Sequence, residues 1–531
     1  MTVDPGGKVV CQAGQGGTAR VCGWNGRKVE RVNRGDLTSI DGASPECWEV
    51  GLVRSQSPHS SDEPRNKVTG GAKAGQEGGC VKTRSKELQP ALVFEETMQV
   101  GKASRKGSAE PSIWTERMLT TLGNGVRGGK WYSLGDKAFS VKALDASFAR
   151  VKANKGSCGV DGWTVERFDS ARDENFERMH SELMAGTYRP SAVRRVWIPK
   201  PGSKEKRPLG IPTVRDRTVQ TAIKLAVEPI FEMEFRDSSF GFRPGRSCKQ
   251  ALSKVRAALR SGKQFVVDAD FRKFFDTIPH EVIMRGLETK VSDGKILSVV
   301  RAYLAQGVMD GGVLMPEDEE TEAGTPQGSP LSPLLANIAL HGLDVLLEDS
   351  GYEIVRYADD FVVMCQSREL ADEALEAVKN WSETNGLNLH PEKTRIVDHG
   401  SGESFEFLGF EFRKDTFFPR KKSIVNIRGK IRDKTPRLSG TSIKPVIAAL
   451  NPVLKGWFRY FRPSPKHVFR GMDGYVRRRL RSLLDRRRGI QCTHPKRESH
   501  KRWPNAFFAE HGLYSMEQAW EEWSILSKAN H

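Results

Sequence analysis

The stretch Arg356-Tyr-Ala-Asp-Asp-Phe-Val-Val-Met364 sets two adjacent aspartates, Asp359 and Asp360, between two short apolar runs. Ile354-Val355 before them and Phe361 to Met364 after them are β-branched, aromatic or thioether residues, the composition of strands. Ala358-Asp359-Asp360 is then predicted to be the tight turn of a β-hairpin. Turn chemistry accounts for one Asp, whose side chain bonds nearby backbone amides. Two like charges side by side at a half-buried turn need a counter-charge. The hairpin alone leaves two readings open, an ordinary turn and a divalent-metal site.

The chain has 531 residues, enough for several domains. Its formal net charge of +18 is unevenly placed. Residues 413–502 carry 27 Lys+Arg and 5 Asp+Glu, whereas the rest carries 57 and 61. So concentrated a positive segment is the electrostatic footprint of a nucleic-acid binder, because a merely solvated face mixes its signs. The eight cysteines form no CxxC pair. That pattern indicates neither a zinc site nor a disulfide framework and fits a reducing, cytoplasmic setting. No apolar run approaches the roughly 18 residues of a membrane span, so no membrane role is expected.

Residues 1–110 hold 17 of the 51 glycines, with little helical or strand periodicity. They are expected to be a disordered, dispensable extension. From about Asp136 an amphipathic pattern begins. Ala192–Pro212 reads as two strands around a Gly/Lys-rich turn, and Asp216–Phe235 as a helix. Gln264–His280 reads as a buried strand entering a turn, and Ser329–Glu348 as a helix with prolines in its first turn. The order of elements predicts an α+β fold with helices on one face of an antiparallel sheet. Beyond residue 413 the chain is basic and helical, with interleaved aromatics.

The strand in Val266-Val-Asp-Ala-Asp-Phe271 ends in a second carboxylate cluster. If it lies beside the hairpin, three carboxylates converge. Such oxygens suit Mg²⁺, which binds through a few carboxylates plus substrate phosphates. Two ions roughly 3.5–4 Å apart activate an attacking hydroxyl and stabilise a leaving pyrophosphate.

YADD (357–360), DADFRKFFD (268–276) and GTPQGSPLSPLLANI (324–338) together resemble the palm of a reverse transcriptase, and the wording is similar to the enzymes encoded by bacterial group II introns. WIPKPGSKEKRPLGIPTVRDR (197–217), FGFRPGRSC (240–248) and FEFLGFEF (405–412) agree in order. The resemblance implies a right-hand polymerase. Fingers and palm would span 111–413 and a thumb/maturase RNA-binding domain 414–490; the family often carries a C-terminal nuclease built on paired cysteine motifs, but Cys492 stands alone, so 491–531 is expected to be a short C-terminal region without an HNH endonuclease. It implies catalytic and metal-binding roles for Asp270 (rather than Asp268), Asp359 and Asp360, with the Phe271 carbonyl as a further metal contact. It implies that Lys200 and Arg207 grip the triphosphate, that Phe271, Phe275 and Gln327 line the nucleotide pocket, and that Phe275 excludes a 2′-hydroxyl. Leu408 and Gly409 fall at the primer grip. Asp268, Asp276, His280, Ser332 and Asn337 are weighed as structural residues.

The implied function is RNA-directed DNA synthesis with two Mg²⁺ ions, dNTPs, a primer and a DNA target, together with binding of the intron RNA during splicing and retrohoming. Lys455, Arg459, Tyr460, Arg462, Arg477 and Arg478 are the RNA-binding candidates, with Tyr460 outside the helix core as a stacking platform. Two alternatives stand beside this: a maturase acting only as an RNA-binding splicing factor, and a domesticated relative such as a CRISPR-associated enzyme.

Overall fold

A computed structural model describes residues 109–126, 128–199, 206–314, 323–414, 416–436, 442–489 and 496–529, with four short strands nearer the N-terminus. Those strands, β1 (Thr2–Val3), β2 (Val9–Cys11), β3 (Thr18–Cys22) and β4 (Val29–Asn33), form an antiparallel meander in chain order. They belong to a separate unit, Met1–Lys86. At these strands the chain departs from the expected unstructured extension. The remainder of residues 1–108, on which that expectation also falls, lies outside the described residues.

In the second unit, Glu87–His531, core packing starts earlier than the pattern at Asp136 predicts. Ile113 and Trp114 are buried, and the Trp114 indole donates to the Leu225 carbonyl at 3.0 Å. Glu110 pairs with Arg150 at 2.7 Å. A cut after residue 110 therefore removes a contact with the core.

The helices and strands then follow in order: α1 (Glu116–Asn124), α2 (Val141–Ala153), α3 (Arg172–Ala185), β5 (Val193–Pro199), β6 (Lys206–Ile211) and α4 (Val214–Glu234). Next come α5 (Cys248–Arg260), β7 (Phe265–Asp270), α6 (His280–Glu288), α7 (Gly294–Leu304), β8 (Val308–Asp310) and β9 (Val313–Leu314). α8 (Ser332–Asp349) leads into β10 (Glu353–Tyr357), β11 (Asp360–Cys365), α9 (Arg368–Thr384) and β12 (Arg395–Asp398). A small sheet of β13 (Phe405–Phe407), β14 (Phe410–Arg413) and β15 (Thr416–Pro419) precedes the basic helices α10 (Lys421–Lys434), α11 (Ile443–Phe461) and α12 (Lys466–Arg487). Toward the C-terminus lie α13 (Asn505–Glu510) and α14 (Met516–Ala529).

The β5–β6 hairpin has the expected antiparallel pairing, Val196 opposite Leu209. Its sheet, in the order β6-β5-β8-β9, is not purely antiparallel, because Val193 and Arg194 pair in parallel with Val308 and Met309. α4 is buried almost all round, the mark of a helix in a core rather than on a surface.

The central sheet runs β10-β11-β7-β12. Strand alternation sends Val267, Ala269, Phe361 and Val363 into the core with α6, α8 and α9, and Val266, Val355, Val362 and Val397 into a second core. The expected layer of helices on one face is present. The opposite face is covered as well, by α5, the small sheet and the basic helices. α14 folds back on α12. The buried Asp473 carboxylate accepts from the amides of Met516 and Glu517, each at 3.1 Å.

Candidate active site

Cross-strand register brings the carboxylates together. Asp360, first residue of β11, lies directly opposite Asp270, last residue of β7. Opposed residues of an antiparallel pair project on the same face, about 4.5–5.5 Å apart at Cβ. Asp268, opposite Val362, shares that face. Tyr357 pairs with Asp360, so the turn itself consists of Ala358 and Asp359 alone, and Asp360 is a strand residue.

The turn is strained and clamped. Ala358 sits at φ +60°, a conformation most side chains avoid. Gly241 lies against it so closely that an added Cβ would stand 2.2 Å from the Ala358 nitrogen. Arg356, fully buried, donates to Asp344 Oδ1 at 2.7 Å and Oδ2 at 2.5 Å, to Asn337 Oδ1 at 2.9 Å and to the Ala358 carbonyl at 2.9 Å. Asn337 Nδ2 in turn donates to the Gly241 carbonyl at 2.8 Å. Sequence reasoning passed over Arg356 and Asp344. The available signal was a lone Arg inside a strand otherwise built for burial, which demands a buried acid.

The acids repel one another. Burial, then the charges of Asp359, Asp268 and Asp270, push Asp360 up to about 7, against the pull of the Leu408 amide facing it. Burial also raises Asp359, with Asp270 adding to it, and lifts Asp268 to about 6 despite Arg395 at 3.7 Å. The Lys393 ammonium bonds Asp270 Oδ2 at 2.5 Å while its own side chain stays largely exposed. Among the described residues no three acid, imidazole or thiol groups already close into a metal cage. The cluster still fits a divalent cation completed by substrate phosphates. Four carboxylates share one edge with two cations, and the single ammonium on Asp270 can swing away.

Beside the carboxylates, the 324–329 loop ties several elements together. Gly324 and Thr325 donate their amides to the carbonyls of Ile278 at 2.8 Å and Phe275 at 2.7 Å, and the Gly210 amide donates to the Gln327 carbonyl at 2.8 Å. The loop thus bridges β6 and the one-turn helix Phe274–Thr277. Gln327 Nε2 donates to Asp276 Oδ1 at 3.1 Å. His280, through Nε2 against the Gly324 carbonyl at 2.8 Å, braces the same loop. The Phe271 ring is buried against Phe274 and Phe361. Asp270 and Arg272 spend their backbone groups on His390 and Asn388, so strand alternation turns the Phe271 carbonyl to the β11 side. Arg207 is exposed on β6. Lys200 lies outside the described residues.

Comparison with known proteins supplies the family. Residues 198–412 match the model for reverse transcriptase (RNA-dependent DNA polymerase), and residues 424–503 match the group II intron maturase-specific domain. Protein YkfC of Escherichia coli K12 is 32% identical, over 47% of this chain and 74% of YkfC. The chain belongs to the group II intron reverse transcriptase/maturase family. The group II intron-encoded protein LtrA of Lactococcus lactis subsp. cremoris is 37% identical over 54% of this chain and 57% of LtrA, so the chain spans little more than half of that relative. A solved partial Cas6-RT-Cas1--Cas2 complex aligns with 47% of this chain and 42% of that one at 23% identity and a TM-score of 0.30.

In this reverse transcriptase/maturase relative, Leu408 and Gly409 join β13 to β14 as a two-residue turn, at φ +49° and +78°. Positive φ at both positions is the primed hairpin turn, and Gly suits the second place. Of the RNA-binding candidates, Lys455, Arg459 and Arg478 are exposed and Arg462 and Arg477 half-buried. Arg462 lies over the Trp523 ring. Tyr460 corrects the sequence reading. Its ring stacks on Phe410 at 5.6 Å and its hydroxyl donates to the Leu408 carbonyl at 2.8 Å, so it faces the small sheet rather than solvent. The period-of-four argument that left it outside considered α11 alone, and β13–β14 covers a second side. No helix among the described residues is long and apolar enough to cross a membrane.

Proposed function

We propose that this protein is an RNA-directed DNA polymerase of a bacterial mobile group II intron, working in the cytoplasm, that also binds the intron RNA and assists its splicing and retrohoming. The observation that carries the reading is the register of Asp360 opposite Asp270, with Asp359 in the adjoining turn. Asp270, Asp359, Asp360 and the Phe271 carbonyl would hold two Mg²⁺ ions. When bound, these supply Lewis-acid stabilisation of charge on the attacking and leaving oxygens. The protein's own residues do the rest. Arg207 and Lys200 attract the triphosphate, Gln327 and Phe275 position the nucleotide, and the Leu408–Gly409 turn presents the primer end. The basic helices hold RNA through phosphate contacts.

The test is primer extension on an RNA template with dNTPs. Asp359→Asn should abolish extension while leaving intron RNA affinity, with its steep salt dependence, unchanged. Extension by that variant at the wild-type rate would refute the assignment of the carboxylates.

A further inference from the structure

The hydroxyl of Tyr460 reaches out of the basic C-terminal region to the turn that touches a catalytic acid. Leu408 offers both of its backbone groups there. Its amide faces the Asp360 carboxylate, beside the cluster that buries Tyr357 and Ala358, and its carbonyl accepts from Tyr460 at 2.8 Å. The peptide is held in the left-handed region at φ +49°, which a leucine does not adopt unaided. Its neighbour Gly409 is fastened too, because its carbonyl accepts from the Arg420 amide at 3.0 Å. A second connection runs beside the first. The Cys248 thiol faces the hydroxyls of both Tyr460 and Tyr357, and Tyr357 is the residue paired with Asp360 across the catalytic hairpin. Packing fixes the Tyr460 ring between Phe410 and Phe461, so the hydroxyl has little freedom to go elsewhere.

We propose that Tyr460 is a positioning residue for polymerisation, and that α11 of the maturase-like region sets the Asp360 carboxylate through the Leu408 peptide. The inference rests on the polymerase reading above. It differs from a stacking role in RNA binding, because the Tyr460 ring is engaged by Phe410 and its hydroxyl by Leu408. Removing the hydroxyl leaves the Leu408 carbonyl without its donor while keeping the ring in place. The strained peptide then relaxes, and its amide no longer aims at Asp360. A change in the aim of a catalytic group lowers the rate of the bound complex and leaves ground-state binding alone, so primer affinity stays at the wild-type value if the relay acts on Asp360 and falls if the loss is of the primer grip.

The experiment compares wild type with Tyr460→Phe in single-turnover primer extension on an RNA template, with intron RNA affinity and thermal midpoint measured in parallel. The expected result is an extension rate about tenfold lower, from loss of one buried hydrogen bond. The dNTP KM and RNA affinity should stay close to wild type, and the thermal midpoint should fall by no more than the few degrees that one lost hydrogen bond accounts for. A wild-type chain without RNA-templated extension overturns the polymerase reading and the relay with it. A wild-type chain that extends, with Tyr460→Phe at the same rate, overturns the relay alone. Loss of rate matched by loss of RNA affinity in that variant also overturns it, by assigning Tyr460 to RNA contact. If Tyr460→Phe does not fold, Cys248→Ala decides by the same readouts: a lowered rate with unchanged KM supports the relay, and an unchanged rate overturns it.

Discussion

Replacing Arg356 by Leu tests how the catalytic turn is held. The guanidinium is wholly inside the protein and makes two bonds to Asp344, one to Asn337 and one to the Ala358 carbonyl. Removing one member of a buried ion pair costs about 3–5 kcal/mol, because the other charge stays behind uncompensated. The unpaired Ala358 and Asn337 oxygens add about 1 kcal/mol or more. Arg356→Leu should therefore lower the urea midpoint, followed by tryptophan fluorescence, by most of the chain's margin of stability. The double variant Arg356→Leu with Asp344→Leu removes both charges, and an apolar pair of similar volume is often as stable as the ions it replaces. Its midpoint should return toward wild type. Its extension rate should not, since the Ala358 carbonyl still lacks the donor that holds Asp359 in its turn. Recovery of stability without recovery of rate is the signature expected. A double variant restored in both measurements would refute the anchoring argument, and a single variant as stable as wild type would refute the buried-pair argument.

Two further outcomes follow from the same edge of the sheet. With metal chelated, the raised Asp360, at about 7 in the fold against 3.8 ordinarily, binds its proton more tightly folded than unfolded. Its stabilising contribution is present in acid and fades as pH rises from about 4 through 7, and Asp360→Asn should flatten that part of the midpoint-against-pH curve; an unchanged slope would count against it. Gly241→Ala drives a methyl group into the Ala358 and Tyr357 backbone and should cost about 1–3 kcal/mol or more with a loss of extension rate, whereas Gly294→Ala, with open space around it, should leave both near wild type.

Much of the chemistry was legible in the chain because it is local. Alternating apolar residues around Asp359-Asp360, and the buried run ending at Asp270, specify strands whatever surrounds them. The +22 imbalance of residues 413–502 is likewise a property of composition, and the ordered motifs carried the family. Register was not legible. That Asp360 faces Asp270, and that Asp268 shares their face beside Arg395, depends on which residues pair across strands some ninety positions apart. Arg356 read as a strand residue next to a motif, yet its role comes from Asp344 on a helix and Asn337 one helical stretch earlier, which only packing brings within bonding distance. Tyr460 shows the same limit from the other side. Helical periodicity describes one helix against one core, and predicted that its ring would lie outside. Tertiary structure decided otherwise, because β13–β14 closes over a second face of α11 and gives the hydroxyl a buried carbonyl to satisfy.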